Sequence, residues 1–199
     1  MLPVILLAAY LVHFTLLGLE PYDRAVWWAE NIPIVLIVLT LVLTYRYYRF
    51  SNTAYLLMAC LVFLHTIGGH YTFERVPFDF ITGFFNLERN HFDRLAHFSV
   101  GFYAYAAAEL LLARRMVTSR IVLFAFPLTI IIAVAGSYEI FEWLYAINAD
   151  GRSGHFVLGS QGDQWDAQKD MLADTLGALA ALTLFYFVNR EQLRQLDRA

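Results

Sequence analysis

Six stretches of this chain are apolar enough and long enough to cross a lipid bilayer, and that leaves few folds open to it. A helix needs roughly 20 residues to traverse the hydrocarbon core. Inside lipid its backbone N–H and C=O groups must be satisfied within the segment itself. The stretches are Leu2–Leu19, Asn31–Tyr48, Asn52–His70, Phe92–Ala113, Arg120–Ile147 and Asp166–Val188. They predict an all-α fold, a polytopic membrane helix bundle of about six transmembrane helices forming one integral membrane domain over residues 1–199.

Composition agrees. Of 199 residues, 59% are hydrophobic and 16% charged, against roughly 25% charged in soluble domains. A formal net charge of −3 gives no basic footprint for nucleic acid. Cys60 is the single cysteine, so it says nothing of redox compartment. The N-terminus has no Lys or Arg before its apolar run and no Ala-x-Ala site after it. It therefore reads as a retained first helix, not a cleaved signal peptide.

The connections alternate in character. On one side lie the short turns Arg46–Ser51 and Arg114–Ser119 and the C-terminal tail. On the other lie Glu20–Glu30, with Pro21 and the Trp27–Trp28 pair of an interfacial belt, and the Phe-rich Tyr71–Asn90, read as interfacial or folding back into the membrane. Asn148–Trp165, with Gly151, Gly154, Gly159 and Gly162, reads as a flexible loop. The first side holds Arg46, Arg49, Arg114, Arg115, Arg120, Arg190, Arg194 and Arg198. The second holds Arg24, Arg75, Arg89, Arg94, Arg152 and Lys169. The larger basic set sits in the shorter segments, which places both termini in the cytoplasm.

Counting spans brings the unusual residues to a common depth. His65 and His70 end the third span; His91, Asp93, Arg94 and His97 start the fourth; Glu139 and Glu142 end the fifth; Asp166, Asp170 and Asp174 start the sixth. All fall on the side away from the termini, whichever side that is. Ionisable groups in a membrane cost roughly 2.5–3.5 kcal/mol each, so they face the bundle interior and pair. Spacing agrees: Asp166, Asp170 and Asp174 form an i, i+4 stripe, as do Asp93 and His97. Three like charges on one stripe repel unless cations offset them.

A metal is the obvious cation. Histidine nitrogen and carboxylate oxygen are ligands for zinc, manganese and iron, and facing helices of a bundle build such centres. The candidate ligands are His65, His70, His91, Asp93, His97, Glu139, Asp166 and Asp170. Glu142 or Asp174 is a candidate general base, and Arg94 and Lys169 are candidate head-group binders. Each has a plainer alternative: a His–carboxylate network tying helices together, or ion pairs of the aspartates with Arg89, Arg94 or Lys169. For Asp163 and Asp166 a helix N-cap competes. His13 and His155 read as structural. Glu109 reads as a partner of Arg114 or Arg115, and Tyr138 and Trp143 read as packing or interface residues.

The strings HTIGGHYTFERVPF (65–78), RNHFDRLAHFSVG (89–101), EIFEW (139–143) and GSQGDQWDAQKDMLADTLGA (159–178) resemble the YjdF-like inner-membrane proteins over nearly the whole chain. The acidic pair and the aspartate stripe are similar, more loosely, to VanZ-like membrane proteins. These resemblances imply a polytopic protein of the bacterial inner membrane and no particular reaction.

The residues support three functional expectations. The first is a membrane-embedded, divalent-metal-dependent hydrolase or transferase acting on a lipid or lipid-linked, phosphate-bearing substrate at the non-cytoplasmic face. The second is an ion- or proton-coupled transporter. The third is a non-catalytic scaffold whose polar network fixes helix packing. No Ser or Cys sits in a nucleophile motif.

Overall fold

The computed structural model describes residues 1–149 and 151–196. Asp150 in the 148–165 segment, and Arg198 of the basic count, lie outside these residues. Among the described residues there are helices and no strands. Six helical stretches are long and apolar enough to cross a membrane, and the chain is an integral membrane protein.

Helix α1 (Leu2–Leu19) carries a single fully buried residue, Tyr10. It is held to α3 (Asn52–Tyr71) at two depths: His13 Nε2 lies 3.2 Å from the Phe63 carbonyl oxygen, and His70 Nδ1 lies 2.7 Å from that of Leu17. Helix α2 (Arg24–Thr44) begins seven residues before the position the sequence suggested. Asp23 caps it, accepting from the backbone N–H of Ala25 and Val26 at 2.8 and 3.0 Å. Arg24 donates to the Gly18 and Leu19 carbonyls that end α1. Pro33 is carried inside α2. This early start corrects the reading of Glu20–Glu30 as a connecting segment and puts Glu30 inside the bundle, 1% exposed.

The segment after α3 is a single 3₁₀ turn (Phe73–Arg75) and the six-residue helix α4 (Asp79–Phe84). At about 1.5 Å per residue, α4 cannot cross anything. Phe73 and Val76 anchor the segment against Phe92 and Ala96, while Phe80, Phe84 and Phe85 stay exposed. The fourth span is not continuous. It divides into α5 (Phe92–Val100) and α6 (Tyr103–Ala113), joined at Gly101–Phe102 by i→i+3 hydrogen bonds such as Phe102 N–H to Ser99 O, 3.2 Å.

Helix α7 (Arg120–Asn148) is followed by α8 (Gly151–Leu158), where the sequence had suggested a flexible loop. Phe156 and Val157 of α8 are buried against Val26, which supplies the apolar contact the helix needs. Helix α9 (Asp166–Val188) and the short α10 (Arg190–Leu196) complete the chain. In the half nearer the termini Tyr105, Phe185, Leu123, Met58 and Ala54 form the apolar core.

Glu109 does not pair with Arg114 or Arg115 as expected. Its carboxylate accepts from the backbone N–H of Ser51 at 2.7 Å and from the Ser51 hydroxyl, tying α6 to the start of α3. Arg114 instead donates to the Tyr47 carbonyl.

Two glycine contacts set the helix spacing around the polar half. A Cβ on Gly177 would sit 1.9 Å from the Phe98 carbonyl oxygen. One on Gly101 would sit 2.2 Å from Ala178 N and 2.3 Å from Asp174 O. Helices α5 and α9 thus cross backbone to backbone, the small-residue packing typical of membrane bundles. Gly69 makes room on α3 for side chains of α2, where a Cβ would meet Asn31 Nδ2 at 2.5 Å and Glu30 Cβ at 3.2 Å.

Gly177→Val should therefore destabilise the purified protein by at least the roughly 1–3 kcal/mol typical of overpacking, and so lower its thermal midpoint. Gly83→Ala, facing open space, should leave it unchanged. Equal midpoints for the two variants would mean that the α5–α9 approach does not hold the bundle.

Candidate functional site

The close approach of α5 and α9 sets Asp93 and His97 against the stripe Asp166, Asp170, Asp174. His97 Nδ1 lies 3.2 Å from Asp174 Oδ2. Its other nitrogen, Nε2, faces Asp93 Oδ1 at 3.7 Å and Asp170 Oδ1 at 3.8 Å. Those two contacts are too long for hydrogen bonds. They are near the about 3.4–3.6 Å between ligand atoms that share an ion at bonds of about 2.0–2.2 Å. All three residues are buried, and one ligand atom from each lies within 4.8 Å of the others. The Asp93–His97–Asp170 group can hold a metal ion. The carboxylate behind His97 is the arrangement that orients metal-binding histidines and fixes their tautomer.

The stripe divides its labour. Asp174, fully buried, holds His97 and leaves its Oδ1 without a partner. Asp170 and Asp166 both accept from Arg94. Asp166 also accepts from Arg89 at 2.6 Å, so it is an ion-pair partner and not the cap of α9. Arg89 donates further to the carbonyls of Ser160 and Gly159, while its Nε is buried without a partner.

Glu139 and Glu142 come from α7. Glu142 is buried and Glu139 half-buried. Glu139 Oε1 is buried with no hydrogen-bond partner.

A second group joins α2, α3 and α7. The Tyr138 hydroxyl donates to Glu30 Oε2 at 2.7 Å, and His65 Nε2 lies 3.1 Å from the same oxygen. The Tyr138 ring packs between the rings of His65 and His97, with centroids 6.0 and 6.2 Å away. Tyr138 is thus a polar member of the site as well as a packing residue, whereas Trp143 is exposed. Glu30 was not foreseen, because α2 starts earlier than its hydropathy suggests. The signal lay in Asp23 as a cap and in the helical spacing of Trp27, Glu30 and Ile34, all buried.

Three expected residues are not gathered into these groups. His70 is engaged with the Leu17 carbonyl. Lys169 turns outward and donates to Asp163 at 2.6 Å. That bond, with one from the Trp165 N–H, holds the Asp163 carboxyl below its usual range. His91 precedes α5 at the rim, where partial burial and the charges of Arg89, Arg94 and Lys169 push its imidazole below the ordinary value.

Two segments close over the polar half. Gln161 and Asn90 exchange hydrogen bonds: Asn90 N–H donates to Gln161 Oε1 at 3.1 Å, and Gln161 Nε2 donates to Asn90 O at 2.9 Å. The Asn90 side chain donates to the carbonyls of Glu74 and Val76. Arg75 stacks over Tyr22 and over Phe156 of α8.

Arg94→Gln should destabilise the protein by about 3–5 kcal/mol, the usual cost of leaving a buried charge without its partner. Lys169→Ala should leave the unfolding midpoint in place. Chemical unfolding in detergent tests both, and an unshifted Arg94→Gln curve would show that the aspartate stripe does not depend on Arg94.

A family model described as "Predicted membrane protein (DUF2238)" matches residues 2–191. The Inner membrane protein YjdF of Escherichia coli (strain K12) is 36% identical over 187 residues, spanning 91% of this chain and 86% of the relative. No solved structure matches.

Proposed function

This chain belongs to the DUF2238 family of predicted membrane proteins, and we propose that it is a metal-dependent hydrolase or transferase acting on a lipid or lipid-linked substrate. The observation that carries the reading is His97, backed by Asp174 on one nitrogen and facing Asp93 and Asp170 with the other at ligand spacing. Two carboxylates and an imidazole suit zinc, manganese or iron.

On this reading Asp93, His97 and Asp170 would hold the ion, and the chemistry it would supply is the activation of a water near neutral pH. Glu139, with its unpartnered Oε1, is the base we assign to that water in preference to Asp174, which is engaged with His97. Arg94 and Arg89 balance the aspartates. The free Nε of Arg89 offers a donor to an anionic head group, with Lys169 at the rim. The paired segments around Asn90 and Gln161 would cover the centre. The exposed Phe80, Phe84 and Phe85 would rest in the lipid interface, keeping an acyl-bearing substrate within reach. The relative's name supports the bacterial inner membrane as location. The basic-residue count supports cytoplasmic termini, and with them a centre facing away from the cytoplasm.

A second reading, an ion- or proton-coupled transporter, draws on the break in the fourth span at Gly101–Phe102, since transporters build ion sites at interrupted helices. Uptake into sealed vesicles that requires the aspartate stripe would favour it over catalysis.

Elemental analysis of protein purified without chelator tests the metal. His97→Ala, Asp93→Asn and Asp170→Asn should each lose the bound ion. Asp174→Asn should weaken its affinity by about 10–100-fold, and Lys169→Ala should keep it. Wild-type metal content in the His97→Ala and Asp170→Asn proteins would overturn the assignment.

A further inference from the structure

The half of the bundle nearer the termini holds a groove that the Asp93–His97–Asp170 centre does not use. Helices α1 and α2 are held together at the other end, where Arg24 donates to the Gly18 and Leu19 carbonyls and the Trp27 ring lies 5.3 Å from that of Phe14. Toward the termini a groove of about 170 Å³ separates the two helices, with α3 as its floor. Pro3 and Leu7 line one wall, Val38 and Tyr45 the other, and Met58 and Ala59 the floor.

Its length and its inner end match one leaflet. The lining runs along α3 from Tyr55 to Phe63, a rise of about 12 Å at about 1.5 Å per residue. One leaflet is half of the roughly 30 Å hydrocarbon core. Phe63 lies near the middle of α3 and Tyr10 near the middle of α1, and their rings, with centroids 6.0 Å apart, sit at the inner end of the groove. The groove is therefore about one acyl chain long and stops near the bilayer midplane. It is too thin to seat another helix, which is about 10–12 Å across with its side chains.

The mouth of the groove is basic. Tyr45 lines it just past the end of α2, and the Arg49 guanidinium lies over that ring at 5.0 Å. Arg46, in the same turn, is exposed. Residues 1–19 and 31–73 contain no Asp or Glu, so the lining helices offer these guanidinium groups no acid at this end. Glu109 of α6 reaches the turn but accepts from Ser51.

We propose that the groove seats one acyl chain of an anionic glycerophospholipid from the leaflet on the side of the termini, with its phosphate held by Arg46 and Arg49. Guanidinium groups bind phosphate oxygens through charge-assisted hydrogen bonds, and basic residues beside a membrane surface favour anionic lipids. Helix α1 has Tyr10 as its single fully buried residue, and the lipid chain completes its packing beside α2. The site lies in the half of the bundle opposite Asp93, His97 and Asp170. The lipid is thus a bound partner and not the substrate, and the inference does not depend on the metal reading.

Native mass spectrometry tests it, on the full chain released from detergent after incubation with phosphatidylglycerol or with phosphatidylcholine of the same acyl chains. The wild type should keep one phosphatidylglycerol per chain and prefer it by roughly tenfold or more, as two basic residues beside a membrane surface give. Ala59→Phe, which fills the groove, should abolish the retained lipid, and Ala133→Phe on the exposed face of α7 should keep it. The paired variant Arg46→Gln with Arg49→Gln should lose the preference for the anionic lipid. If Ala59→Phe does not fold, the paired arginine variant decides. Equal retention of the two lipids by the wild type, an unchanged preference in the arginine variant, or unchanged retention in a folded Ala59→Phe would overturn the proposal. A wild-type dimer that Ala59→Phe converts to monomers would also overturn it, by giving the groove to a second copy of the chain.

Discussion

Burying carboxylates in lipid is the constraint on which this structure turns. Glu30, Asp93, Glu142, Asp166, Asp170 and Asp174 are buried, and Glu139 is half-buried, in one half of a six-span bundle. Arg89 and Arg94 supply two guanidinium groups, and His65 and His97 two imidazoles. The seven acids outnumber the two guanidinium groups, and an uncompensated charge at that depth costs several kcal/mol. Apolar side chains would be cheaper for packing alone. The protein keeps the acids and builds close helix packing at Gly101, Gly177 and Gly69 to hold them in register. One oxygen each of Glu30, Glu139 and Asp174 is buried without a hydrogen-bond partner.

Much of this was written in the sequence, because topology and helix periodicity act at long range. Span counting brought His97, Asp93, Glu139 and the aspartate stripe to one depth, and the i, i+4 spacing put Asp166, Asp170 and Asp174 on a single face. Depth does not fix direction around a helix, however. His70 lies in the same outer part of α3 as His65, yet it is on the face toward α1 and bonds with the Leu17 carbonyl. Lys169 sits one residue before Asp170, about 100° around the helix, and so turns out to Asp163.

The misread elements share one cause: contacts between segments distant in sequence. Helix α2 starts at Arg24 because Asp23 caps it and Trp27 and Glu30 are buried by other helices, although Pro21 and the tryptophans look like a boundary. The glycines of 151–158 suggested a loop, but burial of Phe156 and Val157 against Val26 pays for a helix. Gly154 lets that helix lie on Ala146 of α7. The fourth span breaks at Gly101 where α9 comes too close for any side chain, and hydropathy does not register such an approach. Each of these features borders the polar half of the bundle, where function and packing compete.

The central claim is that a divalent cation sits between Asp93, His97 and Asp170. Crystals of the protein grown without chelator, measured on both sides of the manganese, iron and zinc absorption edges, address it directly. The account predicts an anomalous peak bonded to His97 Nε2 and to an oxygen of each aspartate, with His97 Nδ1 still on Asp174. Well-ordered side chains with no such peak, and Asp93 and Asp170 closed directly onto a doubly protonated His97, would contradict it.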